Sequence, residues 1–195
     1  LFYFFGKNAF KKIVFFEQLI LIILVISLSS FFISLPYYFS NYQITFINSL
    51  FEGFSGITLT GFTIFDNIKY LDPTLIIWRS TSQWIGGLYF LFFLILIFSN
   101  KQFRYKLNDI SLTSVETINT EQNIKNIILK VFLIYLSLSI LIFTLLAGSE
   151  IRLFNSLNLS MTIISTGDFL PTNNLSQIIT NKTQEIEYEQ NRKNS

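Results

Sequence analysis

The sequence contains no cysteine and no histidine. Their absence excludes disulfides, thiol chemistry, haem ligation by imidazole and the usual zinc ligands. Charged residues are also scarce: they make up 13% of the chain, about half of the ~25% that is typical of soluble domains. The net charge of +2 is too small to indicate a nucleic-acid partner. What the sequence has instead is apolar residues, 51% of the total and 23 of them Phe, which points to lipid as the solvent.

Three apolar runs are long enough to cross a membrane as helices, which takes about 20 residues. They cover residues 13–35, 74–98 and 127–147, and we expect Pro36 to end the first and Gly148 the third. A signal peptide is the alternative for the first run, but this run exceeds the ~7–15 apolar residues of a signal core and no small-residue cleavage site follows it. The runs predict an all-α membrane protein with three transmembrane helices.

Basic residues are distributed unequally between the segments that flank these runs. Three lysines precede the first run, and five basic residues lie between positions 101 and 130. Residues 36–73 contain only Lys69. Because Lys and Arg accumulate on the cytoplasmic side, we predict a cytoplasmic N-terminus at 1–12 and a cytoplasmic loop at 99–126.

Two polar segments carry no apolar period. The loop 99–126 is predicted to be a solvated connector, with a docking surface for a cytosolic partner as the alternative. The tail 172–195 is rich in Asn, Gln, Glu and Lys and is predicted to be disordered.

The segments after the first and third runs contain a repeated pattern. Each holds a short, partly apolar stretch, too short to span a membrane, which is typical of a re-entrant or interfacial helix. Each stretch ends in Thr-Gly, and alignment of Gly61 with Gly167 gives a period of 106 residues. We predict one complete unit of span, short helix, filter turn and span at 13–98, and a partial second unit at 127–171. The predicted filter residues are Thr58, Leu59, Thr60, Gly61, Phe62, Ser165, Thr166, Gly167 and Asp168.

Such turns suit a cation. Non-helical backbone at membrane depth is tolerated where it lines a water-filled path or is buried in protein, and its carbonyls can replace the hydration shell of a potassium ion. We expect Gly61 and Gly167 to adopt backbone conformations closed to other residues. The partly negative C-terminal end of each short helix also favours a cation. The alternative is that Thr-Gly only caps an interfacial helix.

Two stretches resemble one known family. The residues FEGFSGITLTG from Phe51 to Gly61, preceded by Leu35-Pro36, and WRSTSQWIGG from Trp78 to Gly87 resemble the Trk/Ktr/HKT superfamily of potassium transporters, above all its bacterial TrkH-like branch. The likeness runs from about residue 15 to 171.

The resemblance implies four such units around a potassium path, in a homodimer gated by cytosolic nucleotide-binding regulatory subunits in the bacterial inner membrane. Potassium is then the substrate, bound at filter carbonyls, and no covalently bound cofactor is implied. In the plant branch, Ser at the first filter glycine accompanies sodium transport, so Gly61 and Gly167 favour potassium here.

The chain departs from that pattern in two respects. Asp168 stands where the family usually has an apolar or small residue. A carboxylate at the pore mouth could concentrate cations, and relaxed selection is the alternative. The chain also ends about 28 residues after Gly167, so we expect a fragment or a decayed gene product. A complementary half-chain, or a dimer that pools four filters, is the alternative.

Glu52 and Arg79 are two charges in otherwise apolar surroundings, and such charges are usually paired. We expect them to pair and support the filter, with Gln83 one helical turn further on in the same cluster. The rival function is a non-transporting membrane anchor whose cytoplasmic loop binds a partner. An enzyme is not expected, since Glu52, Arg79 and Asp168 include no base–nucleophile pair.

Overall fold

The protein is seen in a computed structural model that describes residues 15–99, 120–149 and 151–172. Those residues form five α-helices and one short 3-10 helix. They are α1 (Phe15–Tyr38), α2 (Phe46–Ile57), the 3-10 helix (Ile68–Tyr70), α3 (Pro73–Ser99), α4 (Thr120–Gly148) and α5 (Leu153–Ser165).

The three long helices, α1, α3 and α4, are each apolar and long enough to cross a membrane. They occupy the three predicted runs, with two differences at their ends. Pro36 lies inside α1, which continues to Tyr38. The cost of a proline is local, because it removes one hydrogen bond, and the next turn is still closed by the Phe39 N–H, which donates to the Leu35 carbonyl at 2.9 Å.

The second difference is at the start of α4. This helix begins at Thr120, inside the segment predicted to be a cytoplasmic loop. The N-terminus at 1–12, most of that loop (100–119) and most of the predicted disordered tail (173–195) lie outside the described residues.

The distribution of side chains is inverted relative to that of a water-soluble protein. Large apolar side chains of α1 and α4 point outward: Ile23 is 65% exposed and Leu145 is 63% exposed. The buried set contains more polar and charged side chains than apolar ones. Exposed apolar surface of this extent is stable in hydrocarbon, where the polar groups are the ones that must be enclosed.

The helix α3 lies at the centre of the described fold. It packs against every other α-helix: against α1 and α2 of its own unit and against α4 and α5 of the next. In each unit the long helix that precedes the short helix also packs against it: α1 against α2, and α4 against α5. The centre of the molecule is therefore the place where the two predicted units meet.

Close helix packing at this centre depends on small residues, as in other helices packed in lipid. A side chain at Gly86 of α3 would collide with the backbone of Ile57, the last residue of α2. Backbone atoms cannot move aside as the end of a flexible side chain can. By contrast, a side chain at Gly148 would meet no atom within 4 Å.

We therefore predict that Gly86→Ala destabilises the protein by about 1–3 kcal/mol, the usual effect of overpacking. Gly148→Ala, at the end of α4, is the matched control and should be neutral. Both variants, purified in detergent, would be compared by the fraction that stays monodisperse after heating. Equal heat resistance of the two variants would contradict the packing described for α3.

Candidate functional site

The residues after α2 form the first turn, residues 58–62. The helical hydrogen-bond pattern ends here: the N–H of Leu59 donates to the Gly56 carbonyl at 3.2 Å, and the N–H of Thr60 donates to the Ser55 carbonyl at 3.2 Å. The Ser55 hydroxyl then donates to the carbonyl of Phe62. Residue 62 is thus tied back to the short helix seven positions before it.

The residues after α5 form the second turn, residues 165–169, with the same arrangement. The N–H of Thr166 donates to the Ile163 carbonyl at 3.1 Å, and that of Gly167 to the Thr162 carbonyl at 2.9 Å. The Thr162 hydroxyl donates to the Phe169 carbonyl at 2.9 Å. A span of seven residues is again closed by one hydroxyl.

These hydrogen bonds set a register of 107 residues between the two turns. Thr162 takes the place of Ser55, Phe169 that of Phe62 and Gly167 that of Thr60. The starts of the two short helices, Phe46 and Leu153, are separated by the same interval. The period of 106 that pairs Gly61 with Gly167 is therefore wrong by one residue, and the structural counterpart of Gly61 is Asp168.

The two glycines serve different purposes. Gly61 has φ +73°, a conformation that favours glycine, as predicted. Gly167 is not among the positive-φ residues of the described chain, so that part of the prediction is wrong. Gly167 instead lies against the side-chain amide of Gln83, which a side chain at residue 167 would have to displace.

Left-handed backbone also occurs two positions before Gly61 and Asp168 in the register, at matching places in both turns. Leu59 has φ 63° and Thr166 has φ 57°. Such conformations cost a non-glycine residue about 1–2 kcal/mol. They persist where surrounding contacts enforce them, which is common at functional sites.

The two threonines of the first turn form hydrogen bonds toward the helix. The Thr58 hydroxyl donates to the Phe54 carbonyl at 2.6 Å. The Thr60 hydroxyl lies 3.2 Å from the Ser55 hydroxyl and 3.3 Å from that of Thr58. In the second turn, the buried Ser165 hydroxyl donates to the Thr162 carbonyl at 3.0 Å. Phe62, the last predicted filter residue of the first turn, is largely exposed.

Three consecutive backbone carbonyls in each turn accept no hydrogen bond from the described residues. The carbonyls of residues 59–61 and 166–168 accept no hydrogen bond from any residue that the structure describes. Carbonyl oxygens of non-helical backbone that lack a donor are available to a cation or to water. The two turns also meet, since a side chain at Gly61 would collide with that of Asp168.

Glu52 supports the irregular segment that follows the first turn. It is fully buried, and its two carboxylate oxygens accept hydrogen bonds from the Thr63 hydroxyl and from the Ile64 N–H, each at 3.0 Å. The predicted contact with Arg79 is present, with Arg79 Nε 3.2 Å from Glu52 Oε1.

Arg79 contacts one aromatic ring in the chain after the first turn and another in the second turn. Its guanidinium lies 5.4 Å from the ring centre of Phe65 and 4.3 Å from that of Phe169. None of its three nitrogens, Nε, Nη1 and Nη2, makes a hydrogen bond within the part of the chain that the structure describes. The cation is therefore held by the charge of Glu52 and by the two ring faces, interactions that strengthen in a desolvated site.

Gln83, one turn further along α3, supports the second turn directly. Its side-chain Oε1 accepts a hydrogen bond from the N–H of Phe169 at 3.0 Å, and its amide fills the space beside Gly167. One face of α3 thus contacts Glu52, which binds the chain after the first turn, and the second turn itself. Sequence reasoning missed Thr162, Phe65 and Phe169 in this cluster. The available signal was the spacing of seven between a hydroxyl residue near the end of each short helix and a Phe in the turn that follows.

A family model of known proteins matches most of the chain. The model, described as "TrkH: Cation transport protein", covers residues 15–174. The chain belongs to the TrkH family. It is therefore a multi-pass membrane protein from a family of transport proteins, not of enzymes.

Three relatives of this TrkH-family chain differ in how much they share with it. It is 30% identical over 160 residues to an uncharacterized cation transporter of Methanocaldococcus jannaschii, a match that covers 78% of the chain and 33% of the relative. It is 47% identical over 49 residues to the Trk system potassium uptake protein TrkG of Escherichia coli, covering 25% of the chain and 10% of the relative. It is 42% identical over 59 residues to the Trk system potassium uptake protein TrkI of Halomonas elongata, a match that covers 30% of the chain and 12% of the relative. The chain spans a third or less of the length of these relatives.

The contact between Glu52 and Arg79 predicts the effect of removing one partner. Arg79→Ala leaves the Glu52 carboxylate buried without its cation, which should destabilise the TrkH-family chain by about 3–5 kcal/mol. Lys130→Ala, which removes an exposed cation of α4, is the control and should have little effect. Thermal unfolding in detergent measures both.

A double variant tests whether the two charges act together. If Glu52 and Arg79 are coupled, Arg79→Ala combined with Glu52→Gln should cost less than the sum of the single changes. Strict additivity of the two losses would show that the pair contributes nothing as a pair.

Proposed function

We propose that the two turns form part of a potassium-selective path across the membrane, with potassium as the transported ion. The observation that carries this proposal is the set of carbonyls at 59–61 and 166–168, which accept no hydrogen bond from the described residues. In hydrocarbon such groups would be costly. These carbonyls can instead coordinate a dehydrated cation, whose hydration shell they replace.

The short helices support the same ion. α2 and α5 each end directly at a turn, at Ile57 and Ser165. The partly negative C-terminal end of each helix therefore lies beside the carbonyls that accept no hydrogen bond. This arrangement favours a cation over an anion. The preference for potassium is supported by the two relatives that are named as potassium uptake proteins.

We further propose that the two short helices enter the membrane from the outer face and return as re-entrant segments. The N-terminus and the 99–126 loop then lie on the cytoplasmic side of a bacterial inner membrane, as the lysine distribution predicts. Two turns enclose an ion only in part. The remaining ligands would come from further turns of a longer protein, from a complementary half-chain or from a second copy in a homodimer.

A cytosolic nucleotide-binding subunit of the Trk/Ktr type is the proposed regulator, and lipid is the proposed surroundings of α1, α3 and α4. The exposed apolar side chains of α1 and α4 are consistent with lipid contact.

Substitution of Gly61 tests the proposed function. Gly61→Ala combines an unfavourable φ with a collision against Asp168, so we expect uptake of ⁸⁶Rb⁺ to fall by about tenfold or more, since a change of 1–2 kcal/mol in a barrier suffices. The chain would be expressed in a bacterium that lacks its own potassium uptake, and Gly148→Ala is the control. Amounts of membrane-inserted protein would be matched by quantitative blotting.

The outcome also separates transport from the anchor hypothesis. A transport function requires saturable uptake in the unmodified chain, competed by K⁺ and reduced by Gly61→Ala. Uptake that is no greater than in cells without the chain, with the protein inserted, would rule out transport by this chain.

A further inference from the structure

Asp168 occupies the structural position in the second turn that Gly61 occupies in the first. The position before it, Gly167, and the position after it, Phe169, have the same hydrogen bonds as Thr60 and Phe62. The Asp168 side chain is exposed and lies directly against Gly61. The carboxylate is thus placed at the point where the two turns meet.

The second turn accommodates this side chain without backbone strain. Gly61 has a positive φ, whereas Asp168 does not, so the two backbones differ at this one position. A side chain is disfavoured at residue 61 and permitted at residue 168. The carboxylate can therefore extend into the space beside the first turn.

The charge of Asp168 is not neutralised by its described surroundings. Its carboxylate makes no hydrogen bond or ion pair with any residue in the described ranges. The nearest buried cation of the cluster, Arg79, is paired with Glu52. One full negative charge thus stands beside carbonyls that carry only partial charges.

We infer that Asp168 is a direct cation ligand that gives this path a site for divalent cations, which compete there with potassium. Carboxylate and carbonyl oxygens together are the ligand set that Ca²⁺ and Mn²⁺ prefer. Rings of carboxylates similarly set the selectivity of other cation paths. This inference rests on the proposed function for the location of the path, but its first test does not depend on transport.

The first test measures Mn²⁺ binding by electron paramagnetic resonance on the purified chain in lipid nanodiscs. Asp168→Asn keeps the shape of the side chain and removes its charge, and Asp168→Gly restores the residue found at the matching position of the first turn. Both should weaken Mn²⁺ binding by about tenfold or more, because affinity at such sites follows the number of charged ligands. Asp72→Asn removes another exposed carboxylate, at the residue that precedes α3, and should leave binding unchanged.

Three results would overturn the inference: no Mn²⁺ binding by the unmodified chain, binding by Asp168→Asn and Asp168→Gly as tight as that of the unmodified chain, or a loss with Asp72→Asn as large as that with the Asp168 variants. Chromatographic monodispersity of each variant shows that a loss does not reflect unfolding.

The second test measures inhibition of ⁸⁶Rb⁺ uptake by Ca²⁺. Uptake by the unmodified chain should be inhibited, and Asp168→Asn should need about tenfold more Ca²⁺ for the same inhibition. Uptake with identical Ca²⁺ inhibition in both proteins would contradict the inference and leave the proposed function standing. Mn²⁺ binding that depends on Asp168 in a chain without uptake would instead contradict only the proposed function.

Discussion

The two turns have no secondary structure of their own, so their shape depends on side chains that supply the missing hydrogen-bond partners. The carboxylate of Glu52 is the principal one, because it accepts both the Thr63 hydroxyl and the Ile64 N–H from the chain that leaves the first turn. A buried carboxylate is costly without a cation. Arg79 of α3 provides that cation. The Arg79 side chain contacts both Glu52 and the ring of Phe169, which fixes the position of α3. Removal of this pair would affect both turns together.

The two turns share a backbone pattern but not a support. Residue 159, which corresponds to Glu52 in the register of 107, is a buried leucine. The second short helix therefore has no carboxylate with which to brace its own turn. Gln83 of α3 takes over this role by accepting the N–H of Phe169. A residue of the first unit thus supports the turn of the second, which explains why α3 must pack closely against α5.

Much of this fold could be predicted from the sequence, because hydropathy and length are sufficient for the three long helices. The contact between Glu52 and Arg79 was also predictable, since two charges in apolar surroundings have few other ways to be satisfied. The length of α4 was not, because the polar residues from Thr120 onward extend the helix without continuing its apolar run. Nor was the continuation of α1 past Pro36, which depends on how one lost hydrogen bond is tolerated.

The register of the turns is the part that sequence reasoning placed wrongly. Thr-Gly occurs in both turns and suggests an alignment of Gly61 with Gly167, but a dipeptide carries no information about which carbonyl each N–H will reach. The hydroxyls of Ser55 and Thr162 decide it, because each fixes the carbonyl seven residues ahead.

This difference of one residue changes the chemistry of the site. In the sequence alignment, Gly61 and Gly167 are equivalent residues of the ion path, and Asp168 follows the second of them. In the structural register, a glycine faces a carboxylate. The glycine is needed at residue 61 both for its φ and for the space that Asp168 fills. The side chain that Gly61 lacks is therefore replaced, at the same place, by the carboxylate from the other turn, and the two residues are complementary rather than equivalent.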